Sequence, residues 1–277
     1  MKTLSIIIPF LSGVDFTLQT LYSIRTELPV NLILLDNGAF DSTAEQVEKL
    51  YPIWSKDINI INSQYIFGQR SVSQSWNFGI SQSLKSDYIL IANNDIILHP
   101  KTIDNLIRFI DKTDYVMVTA RNINDGKHLS TDLFNYNPAD FDEEDLKPIT
   151  NWREEGPDFS CFLIKPDFIN KIGWFDENFF PAYFEDNNAH TVIVKSGFHA
   201  KRVSTAPYFH YGSTTVNNNP GLKKIIENKY FEKNKQYFIS KWGDGPSAVL
   251  DGKGFDYPFN SDKSLSWWEG VSRYASV

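Results

Sequence analysis

The sequence SDYILIANNDIIL, residues 86–98, is the stretch on which the predicted fold depends. Tyr88 to Ala92 is a short apolar run of the kind that forms a strand buried on both faces. The run stops at the polar residues Asn93 to Asp95, resumes for three residues, and ends at His99-Pro100. A carboxylate at the carboxyl end of a buried parallel strand lies where open α/β sheets bind ligands, so Asp95 could hold a divalent cation. The alternative is an ordinary polar turn, and this segment alone does not decide between the two.

The alternation of strands and helices extends outward from this stretch over residues 1–120. It predicts right-handed βαβ units and a parallel sheet. The predicted strands are Ser5–Pro9, Val30–Leu35, Ile58–Ile61, Tyr88–Ala92 and Tyr115–Thr119, and the clearest helical stripes are Phe16–Leu28, Ser71–Leu84 and Ile103–Ile110.

The pattern changes after Arg121. Residues Asn122 to Asp158 are polar and acidic, and we interpret them as a long loop region. Regularity returns with a short strand at Cys161–Ile164. A lysine-rich helical pattern then runs from Leu222 to Trp242, which fits either an anionic partner or membrane face, or a packing helix with a solvated outer side. The packing interpretation is favoured.

The composition limits the class of protein. The chain has 277 residues, 42% of them hydrophobic and 15% aromatic, enough for one large domain with a substantial core. No apolar run approaches the roughly 20 residues of a membrane span, and the opening MKTLSIIIPF is interpreted as a first strand rather than a signal peptide. The single cysteine, Cys161, excludes an internal disulfide and suits a reducing, cytoplasmic compartment. A net charge of −7 argues against a general attraction to nucleic acid.

Five short segments place polar residues where a strand should end: Pro9-Phe10, Asp36-Asn37, Asn93 to Asp95, Glu185-Asp186 and His210. Each is weak alone, but together and in this order they resemble glycosyltransferase family two, the inverting enzymes with the GT-A fold, and within it the rhamnosyltransferase-like members. The stretches that resemble motifs of the family are SIIIPF (5–10), LLDNGAFDST (34–43), FGQRSVSQSWNFGI (67–80), ILIANNDIILHP (89–100) and DFSCFLIKPDFINKIGWFDENFFPAYFED (158–186). The resemblance covers residues 3–215.

This resemblance implies a GT-A type α/β fold, with a Rossmann-like, mixed but mainly parallel sheet flanked by helices. Residues 1–215 would form the transferase domain, with 1–120 binding the nucleotide sugar and 121–215 binding the acceptor. Residues 216–277 would form a C-terminal helical extension that packs on the same domain.

The resemblance also implies a set of site residues. Asp95 matches the metal-binding aspartate of the family, and His210 matches the position of a further metal or diphosphate ligand, so Mg²⁺ or Mn²⁺ is the expected cofactor. Asp36 matches a contact to the base or ribose, and Arg70 could pair with the diphosphate because a guanidinium suits phosphate geometry. The full expected donor-binding set is Pro9, Phe10, Asp36, Asn37, Arg70, Asn77 and Asn94.

The base that takes the proton of the acceptor hydroxyl is expected in the Glu185-Asp186 pair. We favour Asp186, with Glu185 as the competing choice. Only one of them should face the acceptor, because adjacent side chains point in different directions. The chain departs from the family pattern at Asn93, where many members have a first aspartate, at Ser160-Cys161, where a Gly-Ala pair is usual, and at Asn187-Asn188. The Gln-x-x-Arg-Trp segment of processive synthases does not occur, so a single transfer is favoured.

The leading hypothesis is therefore a metal-dependent, inverting glycosyltransferase that moves one sugar from a nucleoside-diphosphate sugar to an acceptor hydroxyl. A glycan or lipid-linked saccharide is favoured as acceptor over a modified DNA base. Two alternatives stay open: a nucleotidyltransferase that makes a nucleotide sugar, and a non-catalytic module that binds a nucleotide or carbohydrate. The sequence does not identify the donor sugar, its nucleotide, the acceptor or the oligomeric state.

Overall fold

The computed structural model describes residues 1–39, 41–54, 60–124, 130–136, 156–212, 214–217, 219–246 and 249. Their strands form one eight-stranded mixed sheet with the order β3-β2-β1-β4-β7-β6-β8-β5. The strands are β1 (Leu4–Phe10), β2 (Val30–Asp36), β3 (Ile60–Phe67), β4 (Tyr88–Ala92), β5 (Ile96–Leu98), β6 (Met117–Asn122), β7 (Cys161–Ile164) and β8 (Ala200–His210).

The parallel half of the sheet confirms the predicted βαβ arrangement. Strand β1 pairs in parallel with β2 on one side and with β4 on the other, and β2 pairs in parallel with β3. Every residue of β4 is buried, as expected for a strand covered on both faces. The third strand runs later than the sequence predicted, from Ile60 to Phe67, because its alternating polar residues hide it from a search for apolar runs.

The other half of the sheet contains a strand order that the βαβ pattern did not predict. Strand β7 lies between β4 and β6 and runs antiparallel to both. Strand β6 therefore runs parallel to β4 but does not pair with it. Strand β8 then pairs in parallel with β6 and antiparallel with β5 at the edge.

The helices cover both faces of this sheet. They are α1 (Val14–Ser23), α2 (Thr43–Trp54), α3 (Val72–Ser81), α4 (Thr102–Lys112), α5 (Asp132–Asn135), α6 (Phe168–Lys171), α7 (Glu185–Lys195), α8 (Thr214–Asn217), α9 (Pro220–Ile225) and α10 (Glu232–Trp242), with a π-helical segment at Ile226–Phe231 joining the last two. Helix α1 was predicted to reach Leu28. It ends at Ser23 because Ile24 turns to an extended conformation, five residues before Pro29.

The apolar core lies in two layers, because successive residues of a strand point to opposite faces. Ile6 and Ile8 of β1 belong to one buried cluster, and Ile7 belongs to the other. Helix α3 approaches β1 closely at Gly79, where an added Cβ atom would lie 2.5 Å from a methyl carbon of Ile7. Phe238 of α10 is buried in the second layer, so the lysine-rich helix packs on the body of the fold.

A buried ionic cluster fixes the end of this helix. The Lys241 ammonium lies 2.9 Å from Asp176 Oδ2, and the Tyr237 hydroxyl donates to the same oxygen at 2.9 Å. The Trp242 indole N–H donates to Asn188 Oδ1 at 3.0 Å. Most of the polar segment Asn122–Asp158, including Phe141–Asp145, lies outside the described residues, as does the chain after Gly245 apart from Pro246 and Val249.

Candidate active site

A cleft with a volume of about 400 Å³ opens at the carboxyl ends of the parallel strands, and we call it the main cleft. It brings together residues that are far apart in the sequence, as the predicted site requires. Those of the predicted site residues that line it are Pro9, Phe10, Asn37, Arg70, Asn94, Asp95, Glu185, Asp186 and His210.

Asp95 and His210 meet because two strands pair. Strand β5 follows Asp95 directly and runs antiparallel to β8, with Ile96 opposite His210. The His210 Nε2 atom lies 3.1 Å from Asp95 Oδ1, although 115 positions separate the two residues. The preceding residue fixes the turn, because the Asn94 amide donates to the Ser12 carbonyl at 2.9 Å and to the Thr17 hydroxyl at 2.8 Å.

The electrostatics of this pair shift each side chain toward its charged form. Burial opposes the charge on each, but hydrogen bonding and attraction between them outweigh it. The pKa of Asp95 is consequently lowered and the pKa of His210 is raised. The Thr214 hydroxyl donates to the second Asp95 oxygen at 3.0 Å and adds to the stabilisation of the carboxylate.

Asp95 and His210 could hold a divalent cation only together with further ligands from a substrate. Among the described residues, no group of three or more His, Cys, Asp or Glu side chains could hold a metal ion. Asp95 and His210 both line the main cleft and could supply one oxygen and one nitrogen ligand. Mg²⁺ is commonly bound through one or two carboxylates together with substrate phosphates and water, so two protein ligands suit a cation that arrives with a diphosphate.

Glu185 and Asp186 occupy the first turn of α7, behind a strained turn. Tyr183 and Phe184 both have left-handed backbones, with φ of 76° and 73°. Non-glycine residues rarely adopt this conformation, and its occurrence is concentrated at functional sites. Asn234 of α10 holds the turn, because its side-chain amide donates to the Ala182 carbonyl at 2.9 Å and to the Tyr183 carbonyl at 3.2 Å.

Burial raises the pKa of both carboxyl groups, but the further contributions to the two pKa values differ. For Glu185, burial and then the negative charge of Asp186 raise the pKa well above its usual range. Burial also raises the pKa of Asp186, but the Asn187 backbone N–H donates to its Oδ1 atom at 2.7 Å and favours the charged form. The Asp186 side chain is the more exposed of the two.

A second hollow of about 400 Å³, the side hollow, adjoins the main cleft. Gly156, Asp158, Phe159, His190 and Arg202 line it, and burial lowers the pKa of His190 to about 4, so that this imidazole is neutral at pH 7. Six residues line both spaces, and we call them the shared wall: Val72, Trp76, Asn93, Ser160, Glu185 and Asp186. A group bound in either space would therefore reach the same pair of acids.

Two predicted donor-binding residues do not line the main cleft. Asp36 is buried at the end of β2, where it accepts hydrogen bonds from the Tyr65 hydroxyl at 2.5 Å and from the backbone of Gly38 and Ala39. Asn77 is fully buried and bonds to both backbone polar groups of Phe175, at 2.8 Å each. Asn77 thus joins α3 to the segment before α7.

The sequence did not single out three residues that the fold brings to the site. Thr214 contacts Asp95, Tyr65 contacts Asp36, and Trp76 lies in the shared wall. Trp76 carries a signal, because it lies on the helical stripe predicted for Ser71–Leu84, but a stripe predicts core packing rather than a cleft. Tyr65 and Thr214 lie in segments without a distinctive spacing, so only the fold relates them to the site.

A family model described as glycosyl transferase family 2 matches residues 5–173. Among curated proteins, the chain is 24% identical over 283 aligned positions to N-acetylglucosaminyl-diphospho-decaprenol L-rhamnosyltransferase from two strains of Mycobacterium tuberculosis, CDC 1551 / Oshkosh and ATCC 25618 / H37Rv. The alignment covers 91% of this chain and 81% of each relative.

Three solved structures share the fold at low sequence identity. A mannosyltransferase from Pyrobaculum calidifontis, in complex with GDP-Man and Mn²⁺, gives a TM-score of 0.60 at 12% identity, covering 98% of this chain and 74% of that one. GalNAc-T7 with UDP, GalNAc and Mn²⁺ gives 0.56 at 14%, covering 99% and 57%. S. aureus TarS residues 1–349 give 0.53 at 12%, covering 99% and 80%.

Within the described part of the chain, no helix combines the length and apolar character needed to cross a bilayer. The sheet order, the position of the main cleft and the family match all lead to the same assignment. The chain belongs to glycosyl transferase family 2 and is a glycosyltransferase with a GT-A-like fold.

Proposed function

We propose that the protein transfers one sugar from a nucleoside-diphosphate sugar to an acceptor hydroxyl, with inversion at the anomeric carbon and with dependence on Mg²⁺ or Mn²⁺. The observation that carries this proposal is the convergence of Asp95, His210, Glu185 and Asp186 on one cleft. The first pair suits a cation with its diphosphate, and the second pair suits an acceptor hydroxyl.

The donor would lie along the β1 and β2 end of the main cleft. Phe10 and Asn37 would face the nucleoside, and Arg70 would face the diphosphate. When bound at Asp95 and His210, the cation would supply positive charge against the leaving diphosphate. The Arg70 guanidinium stacks on the Phe78 ring, with 4.2 Å from Cζ to the ring centroid, which limits the positions it adopts.

Asp186 is the better base of the two acids. A base must be charged before the reaction, and Glu185 retains its proton more strongly because it is the more deeply buried. Asp186 would take the proton of the acceptor hydroxyl while that oxygen bonds to the anomeric carbon. The bond from that carbon to the phosphate oxygen breaks in the same step, and the nucleoside diphosphate leaves. A single displacement of this kind inverts the anomeric centre.

A saccharide, free or lipid-linked, is the acceptor that we propose. The curated relatives are named for an N-acetylglucosaminyl-diphospho-decaprenol acceptor and an L-rhamnosyl group. The side hollow beyond the shared wall gives space for a sugar ring next to Asp186. The net charge of −7 does not favour DNA. The buried thiol of Cys161 suits a reducing compartment, and we place the reaction in the cytoplasm.

The test is hydrolysis and transfer with a panel of UDP-, GDP- and dTDP-sugars, each with Mn²⁺, Mg²⁺ or EDTA. We expect cation-dependent release of nucleoside diphosphate, and a product of inverted anomeric configuration by NMR. Asp186→Asn should lower kcat by about 10²–10⁴-fold while the donor still binds. Asp15→Asn is the matched control, since Asp15 also lies in the first turn of a helix but is exposed and outside both spaces.

Two results would replace the proposal. Release of pyrophosphate from a nucleoside triphosphate and a sugar phosphate would identify a nucleotidyltransferase. Tight binding of a nucleotide sugar without turnover on water or on any acceptor would identify a binding module.

A further inference from the structure

Two polar atoms in the shared wall are buried without a hydrogen-bond partner. They are Trp76 Nε1, in a residue that is 2% exposed, and Glu185 Oε2, in a residue that is 9% exposed. Within the described residues, three other side-chain atoms share this state, in Ser73, Thr205 and Asn234, and none of those residues lines the main cleft or the side hollow. The two unpartnered atoms inside the site thus both belong to residues of the shared wall.

An orphaned buried polar atom costs free energy, so folded proteins contain few of them. A functional site is one place where such an atom is retained, because a ligand can satisfy it. The two atoms are complementary in type: the indole N–H only donates, and a carboxyl oxygen accepts. A sugar hydroxyl is both a donor and an acceptor, so it can bond to both groups at once.

The elements that carry these atoms are fixed relative to one another. The Trp76 ring packs against Phe162 and Phe175, with ring centroids 5.3 and 4.9 Å apart. The Val72 backbone N–H donates to the Pro181 carbonyl at 3.0 Å, which ties the start of α3 to the turn before Glu185. A rigid pair of this kind selects a hydroxyl by its position.

We propose that Trp76 and Glu185 form a hydroxyl-recognition subsite for the acceptor sugar, in which one acceptor hydroxyl accepts from the Trp76 indole N–H and bonds to Glu185 Oε2. This inference rests on the proposed function. Because Glu185 and Asp186 both line the main cleft and the side hollow, the subsite holds one hydroxyl of the acceptor sugar while another hydroxyl of the same sugar faces Asp186. The subsite therefore selects acceptors that carry this second hydroxyl and decides which hydroxyl is glycosylated.

The protonation of Glu185 agrees with this role. Burial and the charge of Asp186 raise its pKa well above the usual range, which favours the neutral carboxyl group over the carboxylate. A neutral carboxyl group is a poor base, but it can both donate to and accept from a hydroxyl. Glu185 is thus a specificity-determining neighbour of the base.

The first arm of the test needs no acceptor, because it measures the free protein. Glu185→Leu removes the orphaned oxygen and keeps the side chain near its original size, so thermal unfolding should occur a few degrees higher than in the wild type. Glu177→Leu is the matched control, since Glu177 accepts a hydrogen bond from the Asn77 amide at 3.0 Å and its loss should lower the unfolding temperature. A lower unfolding temperature in Glu185→Leu would show a structural role and overturn the inference.

The second arm measures transfer against hydrolysis of the donor, with p-nitrophenyl glycosides of hexoses, 6-deoxyhexoses and N-acetylhexosamines as probes. We expect Glu185→Leu to lower the ratio of transfer to hydrolysis by about a hundredfold, Trp76→Phe by about tenfold, and Glu185→Gln by less than Glu185→Leu. With a monodeoxy probe that lacks the hydroxyl bound by the subsite, the kcat/KM of the wild type should fall about a hundredfold. The kcat/KM of Glu185→Leu should fall much less with the same probe.

The outcomes separate this inference from the proposed function. If the wild type turns over no donor, the proposed function fails. If the wild type is active but Glu185→Gln is as inactive as Asp186→Asn, or if transfer and hydrolysis fall in equal proportion in Glu185→Leu, the inference is overturned while the proposed function stands. If water is the only acceptor found, loss of hydrolysis in Glu185→Leu to the level of Asp186→Asn also overturns it.

Discussion

Replacing Lys241 by Met would remove the cation from the buried cluster that fixes the C-terminal helix. The Lys241 side chain is 9% exposed and that of Asp176 is 1% exposed, with 2.9 Å between Nζ and Oδ2. Removing one partner of a buried pair costs about 3–5 kcal/mol, because the other charge stays buried. Asp176 keeps its hydrogen bonds from Tyr237 and Asn178, so we expect the lower end, about 3 kcal/mol.

Urea unfolding followed by circular dichroism measures this loss of free energy, and a thermal scan gives a second measure. In a domain of this size, 1 kcal/mol corresponds to about 2–4 °C, so the unfolding temperature should fall by ~6–12 °C. The double variant Lys241→Met/Asp176→Asn removes both charges and should recover at least about 1 kcal/mol of the loss. Lys235→Met is the control. The Lys235 side chain is 45% exposed and its Nζ atom lies 3.8 Å from Glu232, so its loss should change stability by no more than about 0.5 kcal/mol.

The same cluster gives a pH dependence with a definite sign. Burial, partly opposed by Asp176, lowers the pKa of Lys241 from 10.5 to about 8. Between these values the unfolded chain binds the extra proton, so stability should rise with pH across that window and stay level below it. From pH 8 to 10 the rise should be about 2 kcal/mol relative to Lys241→Met. Additive losses in the double variant, or no pH dependence in this window, would refute the coupling.

Three further substitutions test other parts of the account. Gly79→Ala should lower the free energy of unfolding by about 1–3 kcal/mol, because the added Cβ atom would lie 2.5 Å from Ile7. Gly221→Ala is the control and should not destabilise, because its Cβ atom would lie 3.5 Å from Asn219. Equal urea midpoints for the two variants would contradict the close packing of α3 on β1. Asn234→Ala should release the strained turn at Tyr183 and lower kcat by about tenfold with a smaller change in donor affinity, as steady-state kinetics would detect; an unchanged kcat would show that the turn holds without it. Tyr65→Phe removes the hydroxyl that donates to Asp36, so calorimetry should show about fivefold weaker binding of the nucleoside diphosphate if Asp36 faces the donor. Unchanged affinity would show that Asp36 does not take part in donor binding.

The central strand and its turn could be predicted from the sequence because their signal is local. A fully apolar run that stops at three polar residues identifies β4 and the turn that carries Asp95. The motif order also selected Glu185 and Asp186 as candidates, and the fold places both in the main cleft, although the helix that carries them begins earlier than its apolar residues indicate. These features depend on neighbouring residues, and the sequence records neighbours directly.

The rest of the site depends on pairings between distant segments. The pairing of β5 with β8 sets His210 beside Asp95, and β7 inserts between β4 and β6, which no local pattern specifies. The same limit explains the interpretation of Asn77 as a donor contact. Its position in a motif resembled a binding residue, but the fold uses its amide to join two backbone segments. The role of a polar residue in a motif thus follows from the segment that it faces.

Anomalous diffraction from crystals grown with Mn²⁺ and each of UDP, GDP and dTDP would show where the cation and the nucleotide bind. We expect one Mn²⁺ peak within coordinating distance of Asp95 and His210, with the diphosphate of one of these nucleotides on the same ion and Asp186 facing the same cleft. Calorimetry should show that His210→Ala weakens Mn²⁺ binding in the presence of that nucleotide. A Mn²⁺ ion bound away from Asp95, or a nucleotide bound outside the main cleft, would contradict the proposed donor site.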